Sequence, residues 1–358
     1  MGKAGIKVAG NDITANPSVK RRIGWIDIAR GIGIALIIIG HLGIVDPLVH
    51  FAFSVHVPLF LMISGYLFRP GRNGSTGRYA KRLLIPYLSA GLVGVGVMYI
   101  KTWLEEGLEE APGVAAEWFA ALLFGSGTRE SFFFGIHKIG AIWFLLALFL
   151  AQIMYERICR KSYAWPAVII LFAAGYLSSM LIWLPWSIQA ACVSLLFIHL
   201  GHEAHDYGFD PEQVGIVPLV ASAAIWAAAL FFDQGEMYIV TCHFKFFPLD
   251  IAGAIAGTVV ICWFSVLVDR WGALARPLRF MGRNSLCILC FHFIAGKLFD
   301  WYPIVMALGL GFGKKAFLFI LFAELAWANI MTLVCTRVNL LSTLFGAVPS
   351  SVDSGGRK

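Results

Sequence analysis

GWIDIARGIGIALIIIGHLGI, residues 24–44, is a run of apolar and small residues interrupted by Asp27, Arg30 and His41. A helix rises about 1.5 Å per residue, so about 20 such residues cross the roughly 30 Å hydrocarbon layer of a bilayer. Backbone groups in lipid must bond within their own segment, which favours a helix over an open strand. The stretch therefore predicts a transmembrane helix that carries ionisable side chains.

Similar apolar segments recur along the 358-residue chain, which is 59% hydrophobic and only 14% charged, against about a quarter charged in soluble domains. The predicted spans cover about residues 24–44, 49–68, 83–100, 139–155, 164–182, 186–200, 214–232, 249–268, 280–299 and 316–338. We therefore predict an all-α polytopic transmembrane bundle of about ten spans. It forms a single domain, residues 20–345, between flexible tails at 1–19 and 346–358.

The basic residues predict the orientation of this bundle in the membrane. Most of the 28 Lys and Arg residues fall in the two tails and in the loops on the same side of the bilayer. Such loops are cytoplasmic in most membrane proteins, so both termini are expected in the cytoplasm and the protein in the inner, cytoplasmic membrane. The acidic loop 201–213, which has no Lys or Arg, departs from the pattern. The net charge is +7, but because the basic residues lie mainly in alternate loops and not in one binding stripe, we expect no nucleic-acid partner.

Two other features bear on the kind of site to expect. The longest outside loop, 101–138, contains the apolar run Trp118–Phe124, which predicts an interfacial or re-entrant helix. Cys287 and Cys290 form a C-x-x-C pair, but no second ligand pair accompanies it. We therefore expect these cysteines to be small buried residues, and we expect no metal site.

Arg30 and His41 are the first candidates for chemistry, because charged residues inside a membrane helix are costly and commonly functional. They are eleven residues apart, which places them on the same helix face, roughly 16 Å apart along the axis. A guanidinium suits an anion and an imidazole suits a base, so the pair fits a ligand shaped like a coenzyme A thioester. The alternative is that Arg30 extends to the headgroups and His41 caps the far end of the helix.

The sequence around this pair resembles the opening of the acyltransferase-3 family of membrane acyltransferases, with its Arg-x10-His signature. The resemblance continues through FSVHVPLFLMISGYLF at 53–68, RYAKRLLIPY at 78–87, WFL at 143–145, and GRNS at 282–285 followed by FH at 291–292. Within the family the chain resembles the fucose O-acetylase-like subgroup, since we expect no hydrolase-like domain after the ten spans. The resemblance implies O-acetylation of a sugar in a surface polysaccharide, lipopolysaccharide or lipid-linked glycan, with acetyl-CoA as donor substrate and no bound cofactor. It also implies that Arg30 and His41 are essential.

The motifs supply the remaining candidate site residues. The donor phosphates are expected to meet basic residues: Arg30, Arg78, Lys81 and Arg82. The family often has Arg-x-x-Arg where this chain has Arg78-x-x-Lys81 followed by Arg82, so which of these three meets phosphate stays open, and each could instead be a topology anchor. Other residues are expected to bind the acceptor or support the site: Asp27, which would orient Arg30, His56, Ser64, Trp143, Asn284, Ser285 and His292.

Two mechanisms and two rival functions follow from this assignment. In the first mechanism, His41 acts as general base on a sugar hydroxyl that attacks the thioester. In the second, His41 takes the acyl group itself before passing it on. The main rival is a secondary transporter of a glycan intermediate or small solute, with Arg30 and His41 as an intramembrane relay. A non-catalytic membrane partner would explain the hydrophobicity but not the spacing of the pair.

Overall fold

The computed structural model describes residues 23–71, 75–128, 136–233, 237–311 and 313–349, and in these ranges the chain is helical with no strand. An isolated bridge joins Tyr238 to His243. The α-helices are α1 (Gly24–Leu42), α2 (Asp46–Phe53), α3 (His56–Tyr66), α4 (Ser75–Tyr79), α5 (Ile85–Glu105), α6 (Ala111–Phe124), α7 (Trp143–Ile158), α8 (Ala164–Ser179), α9 (Ile188–Asp206), α10 (Ile216–Asp233), α11 (Leu249–Asp269), α12 (Gly272–Arg283), α13 (Ser285–Leu298), α14 (Trp301–Ala307), α15 (Lys314–Arg337) and α16 (Asn339–Phe345).

Helices occupy all ten segments that the sequence predicted as spans. By length and hydropathy, five stretches of the described chain could cross a membrane: α1, α2 with α3, residues 76–105, α11 and α15. A sixth is the pair α13 and α14, which is bent by 70°. The all-helical fold is confirmed, and it includes several helices that could span a bilayer. The count of ten spans and the side of the termini stay predictions.

The α1 helix lies inside the bundle, where it packs against α2, α3, α11, α12, α13 and α15. Its closest neighbour is α12, because glycines stand where the two backbones meet. A Cβ on Gly282 would overlap the carbonyl group of Asp27, and a Cβ on Gly31 would overlap that of Leu278. Small residues at such positions let membrane helices approach closely. Because this face of α1 is occupied by α12, a site on α1 must use another face of the helix.

Two local sequence features position the histidines near the end of α1. The helix stops at Leu42 because Gly43 adopts φ +65°, so His41 lies in the last turn. The single span predicted for residues 49–68 is divided into α2 and α3 at residues 54–55. Pro58 explains the break, since it has no N–H to offer the carbonyl of Ser54 and its ring crowds that group. His56 therefore begins α3 instead of lying within a longer helix.

The basic stretch before α5 has an unusual turn. Residues Ala80–Leu84 form a π-helical turn, in which the amide of Ile85 bonds to the carbonyl of Ala80, five residues earlier. Pro86 favours this arrangement because it cannot donate to the carbonyl of Arg82. The extra residue in the turn changes which side of the helix Arg82 faces.

Buried hydrogen bonds join the helices, as expected where water is scarce. Tyr155 on α7 lies fully buried, with its hydroxyl 2.8 Å from Nδ1 of His199 and 2.7 Å from Nδ1 of His202, both on α9. Trp226 Nε1 of α10 donates to the hydroxyl of Ser54 (2.9 Å). These bonds hold the second half of the bundle against the first.

The ends of the predicted domain and the outside loop can be compared with the structure. The apolar run in loop 101–138 is helical, as predicted, and forms the end of α6. Beyond residue 345 the chain still packs, since Ala347 is buried and the amide of Val348 bonds to Asn284 Oδ1 (2.8 Å). The first residues of the predicted tail 346–358 therefore pack against the bundle, and the domain boundaries stay predictions. The predicted tail 1–19 lies outside the described residues.

Candidate functional site

One face of α1 lines two adjoining cavities inside the bundle. Arg30, Ile34 and Ile37 line the first cavity, while Ile37 and His41 line the second. The spacing of four, three and four residues keeps these side chains on one stripe of the helix. The structure therefore places the guanidinium and the imidazole on a single interior stripe, as the eleven-residue spacing predicted.

The first cavity, which we call the Arg30 cavity, contains a small polar set within apolar walls. Arg30 Nη2 donates to the Ser285 hydroxyl (2.9 Å), and Arg82 also lines the cavity. Opposite them, Gln152 Nε2 donates to the Ser64 hydroxyl (2.7 Å). The buried Oε1 of Gln152 has no hydrogen-bond partner within the described structure. Two guanidinium groups and an open amide acceptor can bind a ligand that has both anionic groups and N–H donors.

The second cavity, which we call the His41 cavity, is lined by histidines and aromatic rings. His41 Nδ1 lies 2.7 Å from the carbonyl oxygen of Ile37, and His56 Nδ1 lies 2.6 Å from that of Ala52. Because a carbonyl can only accept, each Nδ1 carries the hydrogen, and each neutral ring has its lone pair on Nε2. The remaining polar or aromatic lining includes Lys138, Trp143 and Tyr238. Such a cavity can hold a base beside a polar ligand.

Four residues line both cavities and form the boundary between them, which we call the constriction. They are Ile37, Phe60, Phe144 and Leu289. The rings of Phe60 and Phe144 have centroids 6.1 Å apart. The two cavities are therefore adjacent, and the side chains at their boundary are apolar.

A buried acid–base pair lies behind His41. The ring of His292 meets that of His41 edge to face, with centroids 5.3 Å apart. His292 Nδ1 is 2.6 Å from Glu324 Oε2, and Trp301 Nε1 donates to Glu324 Oε1 (3.0 Å). The side chains of His292 and Glu324 are 8% and 4% exposed, so both are held away from solvent.

Several predicted site residues lie elsewhere. Asp27 accepts a hydrogen bond from Arg283 Nε (3.0 Å), and the expectation that it orients Arg30 stays a prediction. The close packing of α12 against α1 brings Arg283 to this carboxylate. Asn284 lines neither cavity: it bonds to the carbonyl of Phe280 (3.0 Å) and to the amide of Val348, which is a structural role.

The predicted basic triplet separates in space. All three side chains are exposed, but Arg82 lines the Arg30 cavity, whereas Arg78 and Lys81 line neither cavity. Lys81 and Arg82 both lie within the π-helical turn, and as neighbours on a helix they face different sides of it. Of the three candidates, Arg82 is the one that shares a cavity with Arg30.

The other predicted residues are brought together. Ser64 and Ser285 line the Arg30 cavity, while His56 and Trp143 line the His41 cavity. His292 contacts His41 from behind. Their places are consistent with a site on the interior face of α1, and their roles stay predictions.

Sequence reasoning missed some residues that the structure places here. Gln152 had a visible signal, a lone amide within the apolar helix α7, and Glu324 is the clearest intramembrane carboxylate. The boundary residues Phe60 and Phe144 had none, because two of many phenylalanines in apolar segments cannot be told apart from lipid-facing ones without their neighbours. Lys138 resembled any loop lysine.

Comparison with known proteins identifies the family of the chain. A family model described as an acyltransferase domain matches residues 23–341, which is most of the chain. No curated protein and no solved structure gives a significant match. The matched region contains both cavities, the constriction and the buried His292–Glu324 pair. The chain therefore belongs to the acyltransferase-3 family, and it is a membrane acyltransferase.

Proposed function

We propose that this acyltransferase moves an acetyl or short acyl group from acetyl-CoA to a sugar hydroxyl of a surface polysaccharide, lipopolysaccharide or lipid-linked glycan. The observation that carries the proposal is the pair of adjoining cavities on one stripe of α1, with Arg30 in the first and His41 in the second. The sugar acceptor follows from the resemblance to the fucose O-acetylase-like subgroup.

The Arg30 cavity supports binding of the nucleotide end of the donor. Arg30 and Arg82 supply guanidinium groups, which bind phosphate oxygens in a bidentate manner. Ser285 accepts a hydrogen bond from Arg30 and so holds that side chain at the cavity. The unpartnered Oε1 of Gln152 is a fitting acceptor for an amide N–H of the pantetheine arm.

The constriction supports passage of the slender arm toward His41. Arg30 and His41 are roughly 16 Å apart along the helix axis, so a donor held by its phosphates must reach that far to present its thioester. The side chains shared by the two cavities are apolar, and they include the rings of Phe60 and Phe144. Apolar walls suit the uncharged part of the arm and exclude its phosphates.

The proposed reaction is a direct transfer. The Nε2 lone pair of His41 takes the proton of the sugar hydroxyl, and the oxygen attacks the thioester carbonyl carbon. The carbon–sulfur bond breaks, and the thiolate takes the proton from His41 to leave as free coenzyme A. The hydrogen bond from His41 Nδ1 to Ile37 keeps Nε2 available for this role. Transfer through an acyl group on His41 Nε2 uses the same geometry.

The His41 cavity supports an acceptor that approaches from the other end. Its wall includes Trp143 and Tyr238, whose rings offer apolar faces beside polar atoms, and Lys138. Mixed walls of this kind bind small polar ligands by packing together with a few oriented polar groups.

The test uses purified protein in lipid nanodiscs with acetyl-CoA and glycan extracts as acceptor. Wild-type protein should release free coenzyme A and add O-acetyl groups, and His41→Ala should lose both while still binding acetyl-CoA. Full activity of His41→Ala would falsify the assignment of the base. Radiolabelled acetyl-CoA without acceptor distinguishes the two mechanisms, since only the acyl-His41 path labels the protein. A transporter would release no coenzyme A.

A further inference from the structure

The His292–Glu324 pair contributes a buried carboxylate beside the proposed base. Among the three histidines near the site, His41 and His56 bond to backbone carbonyls, whereas His292 bonds to a carboxylate. A carboxylate stabilises a positive charge on or near its imidazole partner far better than a neutral carbonyl does. The pair therefore differs from the other two histidines in electrostatics as well as in position.

Two hydrogen bonds hold the carboxylate of Glu324 in place. Its Oε2 is 2.6 Å from His292 Nδ1, and its Oε1 accepts a hydrogen bond from Trp301 Nε1. Trp301 begins α14, just after the bend that follows α13. Glu324 is 4% exposed, and burying a carboxylate costs free energy even when both oxygens are hydrogen-bonded. This cost suggests that the carboxylate serves a function in the buried site.

The base needs a counter-charge at one step of the reaction. When His41 holds the proton of the acceptor hydroxyl, its ring carries a full positive charge in a cavity with mostly apolar walls. Lys138, which lines the same cavity, adds a second positive charge and opposes this state. His292 lies against His41 with ring centroids 5.3 Å apart and links it to Glu324.

We infer that Glu324, acting through His292, is the counter-charge that stabilises the protonated form of His41 during acyl transfer. Both are positioning residues, since neither lines the cavities where the reactants bind. The hydrogen bond from His292 Nδ1–H to Glu324 fixes the ring, and with a neutral His292 the pair carries one negative charge beside His41, whereas a protonated His292 would oppose the charge on His41. No proton leaves the pair: the acceptor proton moves to His41 and then to the departing thiolate. The inference rests on the proposed function, because it assumes that His41 holds a proton in the reaction.

The test measures steady-state acetyl transfer by Glu324→Gln, which removes the charge and keeps the shape. Losing one charge-assisted interaction in the transition state should lower kcat by about 10- to 150-fold while the KM for acetyl-CoA stays within about twofold. Glu324→Asp restores the charge and should recover part of kcat. The control is Asp250→Asn, which changes a buried carboxylate that lines neither cavity and bonds to the amide of Phe246.

A double variant separates this role from a structural one. If Glu324 acts through His292, then Glu324→Gln combined with His292→Gln should be no slower than the slower single variant. Unchanged kcat in folded Glu324→Gln would overturn the inference, and so would equal losses in Glu324→Gln and Glu324→Asp. An independent, multiplicative loss in the double variant would also overturn it.

The proposed function and this inference fail differently. If His41→Ala keeps full activity, the function assigned to His41 is wrong, and there is then no protonated His41 for Glu324 to stabilise. If His41→Ala is inactive while Glu324→Gln keeps wild-type kcat, the proposed function stands and the role of Glu324 alone is refuted. Elution of each variant as a monodisperse peak, with unchanged acetyl-CoA binding, shows that the bundle is folded.

Discussion

Arg30→Ala is the most informative change in the donor site, because its effect should depend on which part of the donor is present. Arg30 lines the Arg30 cavity, and one of its N–H groups bonds to Ser285. The guanidinium has five N–H donors in a planar fork, a geometry that can bind phosphate oxygens. If this guanidinium binds phosphate, the substitution should lower kcat/KM for acetyl-CoA and leave kcat/KM for a phosphate-free donor unchanged.

The size of the effect follows from the kind of bond that is lost. A hydrogen bond to a charged group contributes about 1.5–3 kcal/mol. Since 1.36 kcal/mol corresponds to a factor of ten, the loss of one such bond should lower kcat/KM for acetyl-CoA by about 10- to 150-fold. S-acetylpantetheine has the thioester and the arm but no phosphate, so its kcat/KM should be equal in wild type and Arg30→Ala within about twofold.

The assay follows thiol release from both donors with wild type, Arg30→Ala and the control Arg337→Ala in nanodiscs. Arg337 is an exposed arginine at the end of α15 that lines neither cavity. The loss of kcat/KM caused by Arg30→Ala is measured with each donor, and the difference between the two losses, expressed as a free energy, is the quantity of interest. Equal losses with both donors would show that Arg30 acts on the reacting group or on the fold, and the phosphate assignment would then be refuted.

Three further predictions test the rest of the site. Arg82→Ala should raise the KM for acetyl-CoA about tenfold or more, whereas Arg78→Ala should change it less than twofold, because only Arg82 lines the Arg30 cavity; thiol-release kinetics measure both. Phe144→Ala enlarges the His41 cavity, which Phe144 also lines and where the acyl group is expected, so the ratio of butyryl to acetyl transfer should rise about tenfold, measured by competition between the two donors. Gly282→Ala places a Cβ against the backbone of α1 and should cost at least about 1–3 kcal/mol of stability. Gly272→Ala, which meets open space on the same helix, is its control, and thermal unfolding in detergent measures both. A similar melting temperature for the two glycine variants would contradict the packing argument.

The helical fold was predictable because the hydrophobic pattern is dictated by the solvent. A bilayer demands long apolar segments, and each of the ten predicted segments is helical in the structure. The shared face of Arg30 and His41 was also predictable, since an eleven-residue separation is nearly three whole turns. The break between α2 and α3 was less visible, although Pro58 indicated a kink in this span.

The unpredicted contacts involve partners that come from distant parts of the chain. Asp27 lies three residues before Arg30, so helical spacing suggested that they pair. What spacing did not predict is that the carboxylate also bonds to Arg283, because two glycine-lined surfaces bring α12 against α1. Asn284 belongs to a family-like motif, yet its side chain holds the end of the chain through Val348. Local spacing contains no information about such contacts.

By itself, the sequence determined that this chain is a helical membrane protein with a guanidinium and an imidazole on one face of its first helix. Hydrophobicity and helical period are local properties, and they act before any two helices meet. Only the tertiary structure decided that Arg82 shares a cavity with Arg30, that Phe60 and Phe144 separate that cavity from His41, and that Glu324 supports His292. Those relations depend on which helix faces pack together, and packing is fixed by the fit of whole surfaces, not by the order of residues along one helix.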